Sequence, residues 1–244
     1  MEILKIPQAD STNSWLAAHE KDLADTTLVY CHTQTAGRGQ RGNSWESEPG
    51  KNITASLLLH PRQFHASLQF SLSEAVALAI THFLDKLGVD AKVKWPNDIY
   101  VDDGKICGIL VEHVVTGTNI SRTIAGFGIN INQEVFLSDA PNPVSVTQFT
   151  GKKYEPDTLM PMLADSLRKY LDKVEAGDLD SLHGEFLEKL WRKDGVPHKF
   201  FDRVAREHIE AVIDTVDRDG MLRLTTLQGD RRKYAFKEIE FILE

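Results

Sequence analysis

Apolar residues recur at two different periods along this chain, and the switches between periods mark out its elements. Residues 2–6 (EILKI) read as a short strand, and Asp10 and Ser11 offer N-caps to a helix that begins with Trp15, Leu16, Ala17 and Ala18. Residues 26–34 (TTLVYCHTQ) are β-branched and aromatic and predict a strand, and residues 52–59 predict another that ends before Pro61. Between 68 and 87, Phe70, Val76, Ala77, Ile80, Phe83, Leu84 and Leu87 fall at helical spacing, and Gly88 stops the helix. Strands follow at 91–95, 98–101, 106–115 and 120–129, and the turn Asp102-Asp103-Gly104 makes 98–115 a hairpin. Residues 132–150, rich in Asn, Pro and Ser, predict a long loop, a kind that is usually functional or mobile. Helices return at 156–175 and 178–191.

The pattern changes after Lys193-Asp194-Gly195. Short alternating strands at 207–215, 220–226, 230–236 and 238–243, separated by turns at 217–220 and 228–230, predict a small β-barrel. The expected architecture is α+β: a mixed β-sheet flanked by helices over residues 1–192 and a small β module over 193–244.

Composition narrows the class. The 244 residues are 41% hydrophobic and 26% charged, ordinary for a globular protein. A formal net charge of −8 and a sequence pI of about 5.6 argue against a nucleic-acid partner, which would require a basic face. Cys31 and Cys107 sit in apolar runs without any CxxC or Cys/His cluster, so they read as buried thiols rather than zinc ligands. No secretory signal is visible, and no run approaches the ~18 apolar residues of a membrane span, so a cytoplasmic protein is expected.

Two segments carry candidate chemistry. In Gly37-Arg38-Gly39-Gln40-Arg41-Gly42-Asn43-Ser44-Trp45, arginines interleave with glycines, which suits a backbone wrapped around a phosphate or carboxylate. Its formal G-x-G-x-x-G match lacks the following helix and downstream acid of a dinucleotide fold. A plain surface loop is the alternative, weakened by Trp45, since a large aromatic usually packs on something. In Lys94-Trp95-Pro96-Asn97-Asp98, proline stiffens a turn between strands, and the hairpin brings Lys105 near Asn97 and Asp98. A solvated turn is the alternative there. Gly126 and Gly128 lie within a strand, which often marks close backbone approach to a ligand, and Asn130 offers both a donor and an acceptor.

Together these motifs resemble the biotin protein ligases. The resemblance rests on Ser11-Thr12-Asn13, Gln34 through Trp45, Lys94 through Asp98, Lys105 through Glu112 and Gly126 through Asn130, in that order, with a C-terminal segment similar to that family's SH3-like domain. It implies a two-step reaction: Mg-ATP activates biotin as biotinyl-5′-AMP, and a lysine of a biotin carboxyl carrier domain then takes the biotinyl group. It also implies that Lys105, Arg38 and Asp98 are catalytic. Ser11, Thr12, Asn13, Gln34, Gly37, Arg38, Gly39, Gln40, Lys105 and Gly108 would bind biotin. Arg38, Arg41, Trp45, Lys94, Asn97, Lys105 and Asn130 would hold ATP and the adenylate. The metal ligands stay unassigned. The loop at 132–148, with Pro141 and Pro143, corresponds to a segment that orders over the adenylate in that family.

Two departures from better-known members stand out. Ser11 begins the first motif, so a ligase without the winged-helix domain of members that also act as repressors is expected. Gln40 replaces an arginine that helps many members retain the adenylate. The expected partner is the carrier domain of acetyl-CoA carboxylase or a related carboxylase, with no nucleic acid and no membrane, and the protein would be a monomer or homodimer. A lipoate ligase would share Lys105 to Gly108 but lacks its R-R-x-S-G-G-G signature here. A biotin-responsive regulator and a nucleotide-dependent oxidoreductase are the more distant readings.

Overall fold

The computed structural model describes residues 1–137 and 142–243, so Pro141 of the expected loop lies outside the described residues. The chain opens with β1 (Glu2–Lys5), α1 (Thr12–His19), β2 (Thr26–Cys31), β3 (Ile53–Leu59) and a short β4 (Phe64–His65). Helix α2 (Gln69–Lys86) leads to β5 (Lys92–Lys94), β6 (Asp98–Val101), β7 (Gly104–Thr116) and β8 (Asn119–Ile129). Then come α3 (Val146–Thr150), α4 (Pro156–Glu175) and α5 (Leu179–Glu188), followed by β9 (His198–Asp202), β10 (Glu207–Val216), β11 (Leu222–Thr226), β12 (Arg231–Tyr234) and β13 (Ile239–Phe241).

Strands β1 to β8 form one mixed sheet in the order β1-β2-β3-β8-β7-β6-β5, with β4 added beside β8. Only β1 and β2 run parallel; the other pairs are antiparallel. Alternation along the central strands sorts side chains to two faces. Leu28, Tyr30, Ala55, Leu57, Leu59, Ala125, Phe127 and Ile129 join the main core with α2 and α4. Val29, Cys31, Leu58 and Ile124 point the other way and form a smaller core with Leu16 of α1. With its leading 3-10 turn, α2 is long and apolar enough to cross a membrane by length and composition, but 67% of that window is buried inside the protein, as befits a core helix.

The structure differs from the sequence expectation in three places. The loop at 132–150 contains α3, whose start is fixed by a capping box between Ser145 and Gln148. The strand expected over 26–34 stops at Cys31, beyond which only Gln34 keeps a bridge, to Ala9. Strand β9 was not expected, because its buried positions are Phe200 and a charged residue, Asp202, which breaks the apolar alternation.

The second sheet runs β12-β11-β10-β9-β13, antiparallel throughout. Asp202, only 3% exposed, ties it together. Its carboxylate accepts from the Val204 and Ala205 amides at 2.9 Å, from the Tyr234 hydroxyl at 2.7 Å and from Arg232 at 3.1 Å. Burial alone would raise its pKa, but the Tyr234 hydroxyl, the two amides and Arg232 outweigh that and hold it below the usual carboxylate range. The unfolded-state pKa of about 3.9 is therefore the higher one, so the stabilisation is complete above it and fades as pH falls through the lowered folded-state value. Asp202→Asn should cost about 2 kcal/mol at neutral pH. Thermal unfolding of wild type and variant from pH 7 to pH 3 should show the gap closing below pH ~4.

Candidate active site

On the α1 side of the main sheet, side chains shrink to nothing where β7 and β8 meet. Gly108 and Gly128 are directly opposed in register, and Gly126 lies one step further along the same face. A Cβ at Gly128 would overlap the indole nitrogen of Trp45, and one at Gly108 would come within 2.9 Å of the same ring. A Cβ at Gly126 would overlap the Asn13 amide oxygen. The three glycines thus form a bare backbone floor beneath Trp45 and the start of α1. Above that floor lies a cavity of about 1130 Å³.

The glycine-arginine segment folds back on itself to deliver Trp45. The Trp45 amide donates to the Gly37 carbonyl at 2.9 Å, and the Gly39 amide donates to the Asn43 carbonyl at 2.7 Å. Gly37 is needed because a Cβ there would sit 2.5 Å from the Trp45 carbonyl oxygen. Gly39 and Gln40 line the cavity. Of Arg41 the structure describes the backbone alone, in the 3-10 turn Gln40–Gly42.

One wall is a neutral hydrogen-bond network. The Thr12 amide and hydroxyl donate to the Gln34 side-chain oxygen at 2.8 and 3.1 Å. The Ser56 hydroxyl lies 2.6 Å from both the Thr12 hydroxyl and the Asn13 amide oxygen. Asn13 donates to Glu112 at 2.8 Å, and Arg38 donates to the other Glu112 oxygen at 2.7 Å. Ser11, Thr12 and Asn13 are each at most 4% exposed.

The opposite wall comes from β5, β6 and β7. A β-bulge between Ile99 and Tyr100 sets Lys105 opposite Tyr100, diagonal to Asp98 on one face of the hairpin. Lys105 Nζ reaches Asp98 at 2.7 Å and lies 5.7 Å from the centre of the Trp45 ring. Asn97 donates to the Ile109 carbonyl at 2.6 Å, which clamps the turn to β7. Lys94 Nζ lies 5.0 Å from the ring centres of both Tyr100 and Phe241. Burial pushes its pKa down, and the nearby Asp98 carboxylate partly restores it. Asn130 donates to the Val144 carbonyl at 2.9 Å, and Val144 returns its own amide to the Lys105 carbonyl at 2.9 Å.

Every residue that the sequence nominated lines this cavity except Gly37, which supports Trp45 from behind, and Arg41, whose side chain is not described. Sequence reasoning assigned nothing to Ser56 or Glu112, although a serine and a glutamate within apolar strand runs were the available signal. It also missed Arg203, Phe236 and Lys237, from the turns that follow β9 and β12, which line the cavity as well. Among the described residues, three cavity-lining side chains carry a buried polar atom without a hydrogen-bond partner: Gln40 Oε1, Asn130 Oδ1 and Trp45 Nε1, the last of which faces the Gly128 backbone. Such orphans are costly in a dry interior, and at Gln40 and Asn130 they suit a ligand that would satisfy them.

Gly128→Ala should drive the Trp45 indole off the floor. Acrylamide quenching of intrinsic fluorescence should then rise by the share of one indole among the chain's four tryptophans. Unchanged quenching would mean that the ring does not rest on the glycines.

Comparison with known proteins bears on the family and the fold. The profile of the biotin/lipoate A/B protein ligase family matches residues 6–130. The bifunctional ligase/repressor BirA of Escherichia coli is 31% identical over 221 residues, covering 90% of this chain and 68% of its own length. The biotin--[acetyl-CoA-carboxylase] ligase of Paracoccus denitrificans is 28% identical over 229 residues, covering 90% of this chain and 92% of its own length. The structure of the Aquifex aeolicus biotin protein ligase in complex with biotin and ATP superposes with a TM-score of 0.81 at 22% identity, covering 100% of this chain and 99% of that one, which shows a shared fold. The chain belongs to the biotin/lipoate A/B protein ligase family.

Proposed function

We propose that this protein is an ATP-dependent biotin protein ligase that forms biotinyl-5′-AMP and passes the biotinyl group to a lysine of a biotin carboxyl carrier domain. The observation that carries the reading is Lys105, held by Asp98 against Trp45 at the junction of the two walls. In the first step a biotin carboxylate oxygen attacks the α-phosphorus of ATP, and the bond to the β-phosphate oxygen breaks to release pyrophosphate. Two anions must meet, so Arg38 and Lys105 supply positive charge where negative charge builds. In the second step the carrier amine attacks the acyl carbon, AMP departs, and the amine loses a proton. Asp98 positions that amine or takes the proton, since a free lysine has a pKa of about 10.4.

The neutral network of Ser11, Thr12, Asn13 and Gln34 suits the ureido ring of biotin, and Gly108, on which Trp45 packs, lines the cavity where the bicyclic ring would lie beside that indole. Gly39 and Gln40 complete the biotin side, and Gly37 serves the site through its backbone contact with Trp45. Trp45, Asn97, Asn130 and Lys94 form the adenylate side, where the unpaired Asn130 oxygen would accept a ligand N–H; Arg41 is assigned to the same side on its sequence motif alone, its side chain lying outside the described residues. The described parts of the segment 132–148, residues 132–137 and 142–148, flank the adenylate and help keep water from the anhydride. This is supported by Phe136 at the cavity and by the Leu137 amide, which donates to Glu46 at 3.0 Å. Among the described residues no group of three His, Cys, Asp or Glu side chains could enclose a metal ion. Magnesium would arrive on the ATP phosphates, keeping several of its waters.

The same reading makes a carboxylase carrier domain, that of acetyl-CoA carboxylase first, the macromolecular substrate in the cytoplasm. It treats residues 1–192 as the catalytic unit and 193–244 as an appended one, in a monomer or homodimer. It includes no DNA-reading role, in keeping with the net charge of −8.

The test is to mix the protein with ATP, Mg²⁺ and a carrier domain, offering biotin or lipoate, and to read the carrier's intact mass. An ATP-dependent biotin adduct is expected. Lys105→Ala should slow its formation by roughly 10²–10³-fold. Asp98→Asn should slow transfer from preformed biotinyl-5′-AMP more than pyrophosphate release. Equal loss in both half-reactions would remove Asp98 from the second step. A lipoyl adduct alone would favour a lipoate ligase, and tight biotin binding without transfer would favour a regulator.

A further inference from the structure

The turn that carries Asn97 and Asp98 is held from two sides. Toward the sheet, Asn97 donates its side-chain amide to Ile109 and accepts the Ile109 backbone amide at 2.9 Å. Toward the C-terminal sheet, Trp95, 2% exposed, donates its indole N–H to the Gly220 carbonyl at 2.8 Å, 125 residues away in sequence. Phe236 meets the same indole edge-on at 6.4 Å.

Gly220 is itself fixed. Its φ of +85° favours glycine, and a Cβ there would fall 2.8 Å from the Phe70 ring of α2. Phe70 in turn packs edge-on against Phe186 of α5 at 5.5 Å. Two residues before Gly220, Arg218 donates to the Leu179 carbonyl and pairs with Asp180 at the start of α5. The β10–β11 turn is therefore anchored to two helices of the main core and presents one carbonyl to Trp95. Lys94, on the other side of Trp95, rests on Phe241 of β13.

We propose that Trp95 is a positioning residue: its N–H bond to Gly220 makes the C-terminal sheet the anchor that sets Asn97 and Asp98 against Lys105 in the reacting centre. The C-terminal sheet thereby acts in the chemistry through a single indole, beyond lining the rim. The kinetic consequence rests on the ligase reading, whereas the anchoring does not.

Two variants test it. Trp95→Phe keeps an aromatic ring in the pocket and removes the donor. Gly220→Ala displaces the acceptor from the far side. Backbone amide hydrogen exchange is the first readout. In each variant the Ile109 amide, bonded to Asn97, should exchange about tenfold faster, while amides that pair β2 with β3 keep their rates. Exchange that rises everywhere would mean that Trp95 only stabilises the fold, and unchanged exchange at Ile109 would mean that the bond anchors nothing. Either result overturns the proposal, whatever the enzymatic activity. The second readout is steady-state biotinylation. Trp95→Phe should lower kcat by about tenfold or more with the KM for biotin unchanged, because the hydrogen bonds of the Ser11–Asn13 and Gln34 wall run to one another, to Ser56 and to Glu112 rather than to residues 95–98. A rise in biotin KM at constant kcat would contradict it. A wild-type protein without ligase activity would defeat the ligase reading and leave the exchange result to decide the anchoring.

Discussion

The whole arrangement depends on one steric constraint: β7 and β8 present no side chains on one face where Gly108 meets Gly128. Gly108 lies opposite Gly128, and Gly126 follows two residues earlier on β8. The alternate residues of β8, Ala125, Phe127 and Ile129, fill the main core from the other face. One pair of strands can therefore be a packed wall on one side and an open floor on the other. Trp45 and Asn13 occupy positions that only this absence of Cβ atoms allows.

The electrostatics follow from what surrounds that floor. Arg38 is held by Glu112, and Lys105 by Asp98. Each cation thus has a carboxylate partner that keeps its direction and limits its range of rotamers. The pairs are partly exposed, so the attraction is modest and an incoming anion can compete for the cation. A carboxylate freed in this way becomes an acceptor inside the same cavity.

Much of this was legible in the sequence because it is local. The Asp102-Asp103-Gly104 turn fixes the β6–β7 hairpin, and the hairpin alone brings Lys105 to Asp98. Glycines inside a strand announced the close approach at Gly126 and Gly128. The rest is long-range. Ser56 joins the polar wall because β3 happens to border β8, and the contact between Trp95 and Gly220 spans two sheets; no periodicity encodes either. Strand β9 escaped notice because Asp202 is buried by four hydrogen-bond donors, a cost-offsetting arrangement visible only once the sheet closes. The C-terminal module reads as separate by composition, yet its residues share the cavity with the main sheet.

The bare floor also bounds how this pocket can change. A site lined by leucine or phenylalanine can be widened by trimming atoms, but at Gly108, Gly126 and Gly128 nothing remains to trim. A bulkier ligand could not be accommodated at the floor; room would have to come from its surroundings, first of all Trp45 and its supporting hairpin or the first turn of α1. Adaptation of the pocket, natural or engineered, is thereby channelled into the segment around 37–45, while the sheet beneath it stays as it is.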